Sequence, residues 1–247
     1  MNIKYNYQKR DSIILLTICF GIAVLFIVSG IQLPMQWGTA TDVQPTLSQA
    51  TSVAATASNQ DYNAPQGGEV LTAPGAVTTY YYLQTDWRWG KLTYGEGSDT
   101  IGKQGCGPTS MAIVVSSLTD TKIDPLQMSE WAYKNGYWYP RSGSLHTIVN
   151  GTAKAFGLKS EGVGNNKETA ERICTTLKNG GMVVALMGKG HFTRGGHFIV
   201  LRGITEEGKI LIADCNDIEN TLIEWDLELL QKEAKSAADG GPFWIIE

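Results

Sequence analysis

From Ser12 to Leu33 (SIILLTICFGIAVLFIVSGIQL) the chain runs 22 positions without a charge, and this run decides how the rest must be divided. At 1.5 Å per residue it makes roughly 33 Å of helix, enough to cross a hydrocarbon core of about 30 Å. Lys4, Lys9 and Arg10 precede it, and no Lys or Arg follows before Arg88. The positive-inside rule then leaves residues 1–11 as a cytoplasmic tail, makes 12–33 a single-pass anchor and sends the remainder outside the cell. The alternative is a secreted product released from a cleaved signal peptide, with Gly38-Thr39-Ala40 as a loose small-residue site. Signal h-regions of about 7–15 residues are shorter than this run, which favours the retained anchor.

Residues 34–77 change character. They are built of Thr, Ser, Ala, Gln, Asn, Pro and Gly, with Asp42, Asp61 and Glu69 as the only charges. Large apolar side chains are too sparse to offset the entropy of ordering, so the stretch is predicted to be a disordered linker. Residues 78–247 are left as one folded domain. Of the 20 Lys+Arg and 24 Asp+Glu, the first 77 residues hold three basic and four acidic, so the domain carries 17 against 20. That balance argues against nucleic acid, whose binders cluster excess positive charge. A mean hydropathy of −0.12 excludes a multi-span transporter.

Within the domain the hydrophobic period changes part-way. Tyr80-Tyr81-Tyr82-Leu83 suits a short strand, and a Gly-rich loop follows from Trp89 to Gly105. Pro108 precedes the apolar run Met111–Val115, as at a helix start. Asp124-Pro125 opens a second helix ending at Gly136, Ser144 is placed to cap a third over 145–156, and Asn166 starts a fourth ending at Lys178. Short apolar runs then take over at 183–186, 197–201 and 210–212, with Glu206-Glu207-Gly208 as a hairpin turn. A helix over about 227–237 and a strand at 243–246 close the chain. Helices first and strands later predict an α+β fold.

The chemistry gathers at two places. Cys106 stands in Gly105-Cys106-Gly107-Pro108-Thr109-Ser110, where a glycine-rich loop meets a helix N-terminus whose partial positive charge favours thiolate. His197 follows Gly195-Gly196 at a strand start, and a thiol nucleophile needs a base that is itself oriented. If Ile204 pairs with Lys209 across the turn, His197 opposes Asn216 and Asp214 projects from the same face within diagonal reach. A slip of one residue would turn Asp214 to the other face. Asp214 and Asn216 can each orient an imidazole, with Asp214 preferred. His191 reads as a surface histidine, and His191, His197 and Cys215 match no recurrent zinc spacing. Cys174 and Cys215 are candidates for a disulfide in an oxidising compartment. Trp87, Trp89, Trp131, Trp138 and Tyr139 are candidates for a cleft lining, against an ordinary role in core and rim.

The runs YYLQTDWRWG, GCGPTSMAIVVSSL and GGHFIVLRGI with the following ILIAD resemble the papain-like cysteine peptidases. They are most similar to the branch related to bacteriocin-processing, double-glycine-leader peptidases. The resemblance spans about Tyr80 to Glu247 and implies a papain-like fold. It implies Cys106 as nucleophile, His197 as general base, Asp214 as orienter and Gln84 as the oxyanion-hole side chain, with Gln104 as the rival for that last role. The chain departs from the leader-peptidase pattern in the long Gln84–Cys106 spacing and in Cys215, where a proline commonly follows the aspartate. No P-loop is present, and the outward orientation also separates it from transporter-coupled leader processing.

The expectation is therefore an extracytoplasmic, membrane-anchored cysteine hydrolase that needs no metal or organic cofactor. Its partners would be a peptide or cell-wall peptide substrate and the membrane, and it would be monomeric. A cell-wall peptide amidase or transferase with the same triad, and a non-catalytic peptide- or cell-wall-binding module, are the alternatives.

Overall fold

A computed structural model describes residues 68–247 of the chain. The tail, the uncharged run Ser12–Leu33 and residues 34–67 of the expected linker lie outside the described residues. Among those described, no helix is long and apolar enough to cross a membrane.

The folded part reaches further back than Thr78. Strand β1 (Glu69–Leu71) pairs antiparallel with β2 (Thr79–Tyr81), and Ala76 bridges to Gly203. The end of the expected linker is thus ordered. Its order comes from backbone hydrogen bonds, such as Ile204 N–H to Gly75 O at 2.9 Å and Val77 N–H to Arg202 O at 3.0 Å, so it needs few large side chains.

The helices then come in a block: α1 (Ile101–Gln104), α2 (Cys106–Leu118), α3 (Pro125–Lys134) and, after the small hairpin β3 (Trp138–Tyr139) and β4 (Gly143–Ser144), α4 (Ile148–Ala155). Helix α2 is buried from Gly107 to Ser116 on all sides, as its continuous apolar run dictates. Helix α3 starts as the sequence signals: the Asp124 carboxylate accepts from Gln127 N–H and the Gln127 side chain reaches back to Asp124 N–H. The third helix departs from expectation. Ser144 lies in β4 with its hydroxyl 2.6 Å from Tyr94 Oη, and α4 begins only at Ile148.

The second block is an antiparallel sheet of six strands: β5 (Ser160–Val163), β6 (Met182–Met187), β7 (His197–Ile204), β8 (Ile210–Ala213), β9 (Glu224–Trp225) and β10 (Phe243–Ile246). Their order is β5-β10-β6-β7-β8-β9. Helix α5 (Lys167–Lys178), capped by Asn166 onto Thr169 N–H, follows β5; α6 (Ile218–Leu222) and α7 (Leu227–Glu233) flank β9. The sheet's alternation divides the core. Val184, Leu186, Phe198, Val200, Ala213 and Cys215 pack with α2, while Val183, Ala185, Ile199, Leu201 and Ile212 pack with Ile173 and Leu177 of α5. The α+β architecture expected from the sequence is therefore present. Strands β5 and β9 and helices α1 and α6 were not legible from apolar periodicity; all four are short.

Candidate active site

The register of β7 on β8 settles where Asp214 stands. The hairpin begins with Ile204 opposite Ile210, one residue away from the expected pairing with Lys209. A bulge between Leu201 and Gly203 then shifts the frame, so that Leu201 faces Ile212 and Val200 faces Ala213. A bulge places two residues against one. That extra residue, Arg202, restores the frame that, carried on past the Val200–Ala213 pair, runs His197 toward Asn216. Arg202 also donates from Nε to Ile212 O at 3.1 Å.

The outcome is a direct bond. His197 Nε2 donates to Asp214 Oδ1 at 2.6 Å, with both side chains buried. Asn216 does not orient the ring; it donates its backbone N–H to the same Oδ1 at 2.9 Å. Asn220 donates from Nδ2 to Oδ2 at 2.9 Å, and Asp214 N–H donates to Thr221 Oγ1 at 2.9 Å. Tyr81 Oη donates to Asp214 O at 2.7 Å. Sequence reasoning missed Asn220, Thr221 and Tyr81, because α6 carried no periodic signal and a strand tyrosine reads as core.

Cys106 is the first residue of α2 and is half-buried. His197 bears electrostatically on the Cys106 thiol, and since Nε2 is taken by Asp214, Nδ1 is the nitrogen that remains for sulfur. Burial alone would raise the Cys106 pKa. His197, with the backbone N–H groups of Phe198 and Gly107, outweighs burial and holds the thiol below its ordinary value. Burial would likewise lower His197, but its bond to Asp214 and the nearby Cys106 push it up to about 10. Asp214 is held low by the same His197 bond, against the opposing effect of its burial. The two shifts together favour the thiolate–imidazolium form of the pair.

Two further features fix this pair. Ser110, one turn beyond Cys106, donates from Oγ to Phe198 O at 3.1 Å and so ties α2 to β7 beside His197. Gly107 packs directly beneath Ser144, where a Cβ would stand 2.6 Å from Ser144 Oγ.

Gln84 is 3% exposed, and its amide is held on both sides: Nε2 donates to Gly102 O at 3.0 Å, and Oε1 accepts from Cys215 Sγ at 3.4 Å. Gln104 serves elsewhere, its Oε1 accepting Thr100 N–H at the start of α1. His191 is likewise engaged away from His197 and Asp214, with N–H and Nδ1 both on the Glu233 carboxylate. His197, Asp214 and Cys215 bring their polar atoms within 4.8 Å of one another.

The structure decides the cysteine and aromatic alternatives. Cys106, Cys174 and Cys215 are all free thiols. Cys174 packs with the α5 side of the sheet and Cys215 with the α2 side, which keeps that pair apart. The aromatic residues do not form one lining. Trp89 is buried with Nε1 donating to Leu83 O, Trp131 stacks on Tyr137, and Trp138 donates to Asp99 Oδ2. Trp87 and Tyr139 are exposed.

Against known proteins, the Peptidase_C39 like family model matches residues 77–237. The chain belongs to this family. It is a cysteine peptidase, a hydrolase, and the family implies peptide substrates. No curated protein matches it. The peptidase is similar in structure to a prointerpain A fragment from Prevotella intermedia, with 10% identity, a TM-score of 0.44, and coverage of 81% of this chain and 80% of that one.

Proposed function

We propose that this cysteine peptidase works outside the cell, anchored by Ser12–Leu33, and cuts a peptide or amide bond through Cys106, His197 and Asp214, with Gln84 as an oxyanion donor. The observation that carries this is the buried bond from His197 Nε2 to Asp214 Oδ1, with Cys106 near enough to shift the histidine's pKa. Cys106 sulfur attacks the carbonyl carbon, a C–S bond forms, and the π pair moves to oxygen. Gln84 Nε2 and the Cys106 backbone N–H at the α2 N-terminus stabilise that oxygen. His197 gives its proton to the leaving nitrogen as the C–N bond breaks, leaving a thioester. Water then attacks the thioester carbon and gives a proton to His197; the C–S bond breaks, which returns the Cys106 thiolate and releases the acid.

The complete Cys, His and Asp set, with both acid and base poised, supports catalysis over simple binding. Hydrolysis of a quenched fluorogenic peptide library by the full-length protein is expected to vanish in Cys106→Ala. Cleavage of purified cell wall and not of the library would place the bond in a wall peptide instead. External proteinase on intact cells should remove the domain if the anchor orients it outward; full protection would overturn that part.

A further inference from the structure

The triad leaves one buried thiol without a role. Cys215 has no exposed surface and directly follows Asp214. It holds Gln84 twice: its carbonyl accepts Gln84 N–H at 2.7 Å, and its Sγ lies 3.4 Å from Gln84 Oε1. The other acceptors near Sγ are all further, at 3.7 Å: Cys106 O, Phe198 O and Ser110 Oγ. Phe198 O already accepts the Ser110 hydroxyl. The single thiol proton therefore belongs to Gln84 Oε1.

We infer that Cys215 is a positioning residue for the oxyanion hole, fixing the Gln84 side chain through its S–H and its carbonyl while Asp214, one residue earlier, fixes His197. This rests on Gln84 being the oxyanion donor. A carboxamide can rotate half a turn and exchange oxygen for nitrogen. With Oε1 against a thiol donor and Nε2 against Gly102 O, the flipped arrangement would put two acceptors together and two donors together. One Nε2–H is spent on Gly102 O, and the second has no acceptor among the described residues. Burial keeps the Cys215 pKa well above the ordinary thiol value, so it stays a donor, while Cys106 is held below that value. The two thiols are thus shifted in opposite directions, one toward attack and one toward holding the group that receives the charge.

The test uses the full-length protein in mild detergent and two probes. Acylation of Cys106 by p-nitrophenyl acetate passes through an oxyanion. Alkylation of Cys106 by iodoacetamide, read by mass spectrometry, does not. Gln84→Ala should slow acylation by about 10²-fold, the usual loss for one oxyanion donor. Cys215→Ala should slow it by about tenfold, within the range for a donor displaced and not removed. Alkylation should change by less than about twofold in both. Cys215→Ser keeps a donor and should restore most of the acylation rate, and adding Cys215→Ala to Gln84→Ala should cost nothing more. Should the alanine variant fail to fold, Cys215→Val fills the volume without a donor and gives the same comparison. Unchanged acylation in Cys215→Ala beside a slow Gln84→Ala, equal loss with both probes, or additive loss in the double variant would each overturn the role of Cys215. Unchanged acylation in Gln84→Ala would overturn the oxyanion assignment itself.

Discussion

His197 Nε2 reaches Asp214 Oδ1 at 2.6 Å across a hairpin that begins one residue out of frame. Without the bulge, the Ile204–Ile210 frame would set His197 opposite Asp217, and Asp214 would point to the far face of the sheet. The Arg202 bulge corrects this, and the Arg202 side chain satisfies Ile212 O beside it. Arg202→Ala is therefore expected to lower stability by about 1–3 kcal/mol, since it leaves a buried carbonyl short of a donor. Its activity should fall with the loosened register. Urea denaturation and peptide hydrolysis measured together check this.

Asp214 sets the pH range of the pair. In Asp214→Asn the His197 imidazolium loses its charged partner, so its pKa should fall from about 10 toward the ordinary histidine value. Cys106, which depends on that imidazolium, should rise. The alkaline limb of activity is expected to move to lower pH and the acid limb to higher pH, narrowing the bell. The same shifts bear on stability. His197, raised in the fold, stabilises fully below its unfolded pKa, and the contribution is lost as pH rises through about 10. Asp214, lowered in the fold, stabilises above the ordinary carboxylate value and loses this as pH falls.

Asn220 stands behind that carboxylate with an amide on Oδ2. A hydrogen bond to a charged group is worth about 1.5–3 kcal/mol, so Asn220→Ala should raise the Asp214 pKa and slow turnover by about tenfold. The acid limb of the pH–rate profile reports the first effect, and single-turnover kinetics report the second.

The ordered segment ahead of Thr78 has a stability consequence. A chain starting at Thr78 loses β1 and the backbone bonds of Gly75 and Val77 to β7. At about 1 kcal/mol per bond the loss is roughly 2–3 kcal/mol, or about 5–10 °C in Tm for a domain of this size. Thermal unfolding of chains starting at Gly68 and at Thr78 measures it.

Much of the candidate grouping of Cys106, His197 and Asp214 could be read before any geometry was known, for identifiable reasons. Glycines around Cys106 and ahead of His197 are local signals, and helix caps such as Asp124 and Asn166 act within three residues. The His197–Asp214 contact was legible only as a conditional, because a bulge is a tertiary adjustment of register. Asn220 and Thr221 were hidden in α6, a helix too short to show a period. Ser144 looked like a cap because its hydroxyl suits one, yet its hydroxyl is committed to Tyr94. The strand β1 was hidden by composition, since backbone pairing leaves no trace in side-chain type.

The most direct measurement is the rate of Cys106 alkylation by iodoacetamide against pH in the full-length protein, with the modified peptide identified by mass spectrometry. A thiol held low by His197 should react rapidly well below its ordinary pKa of 9.0, and Cys215 should stay unmodified in the folded state. A Cys106 that reacts only near or above pH 9.0 would contradict the thiolate–imidazolium pair and with it the proposed mechanism.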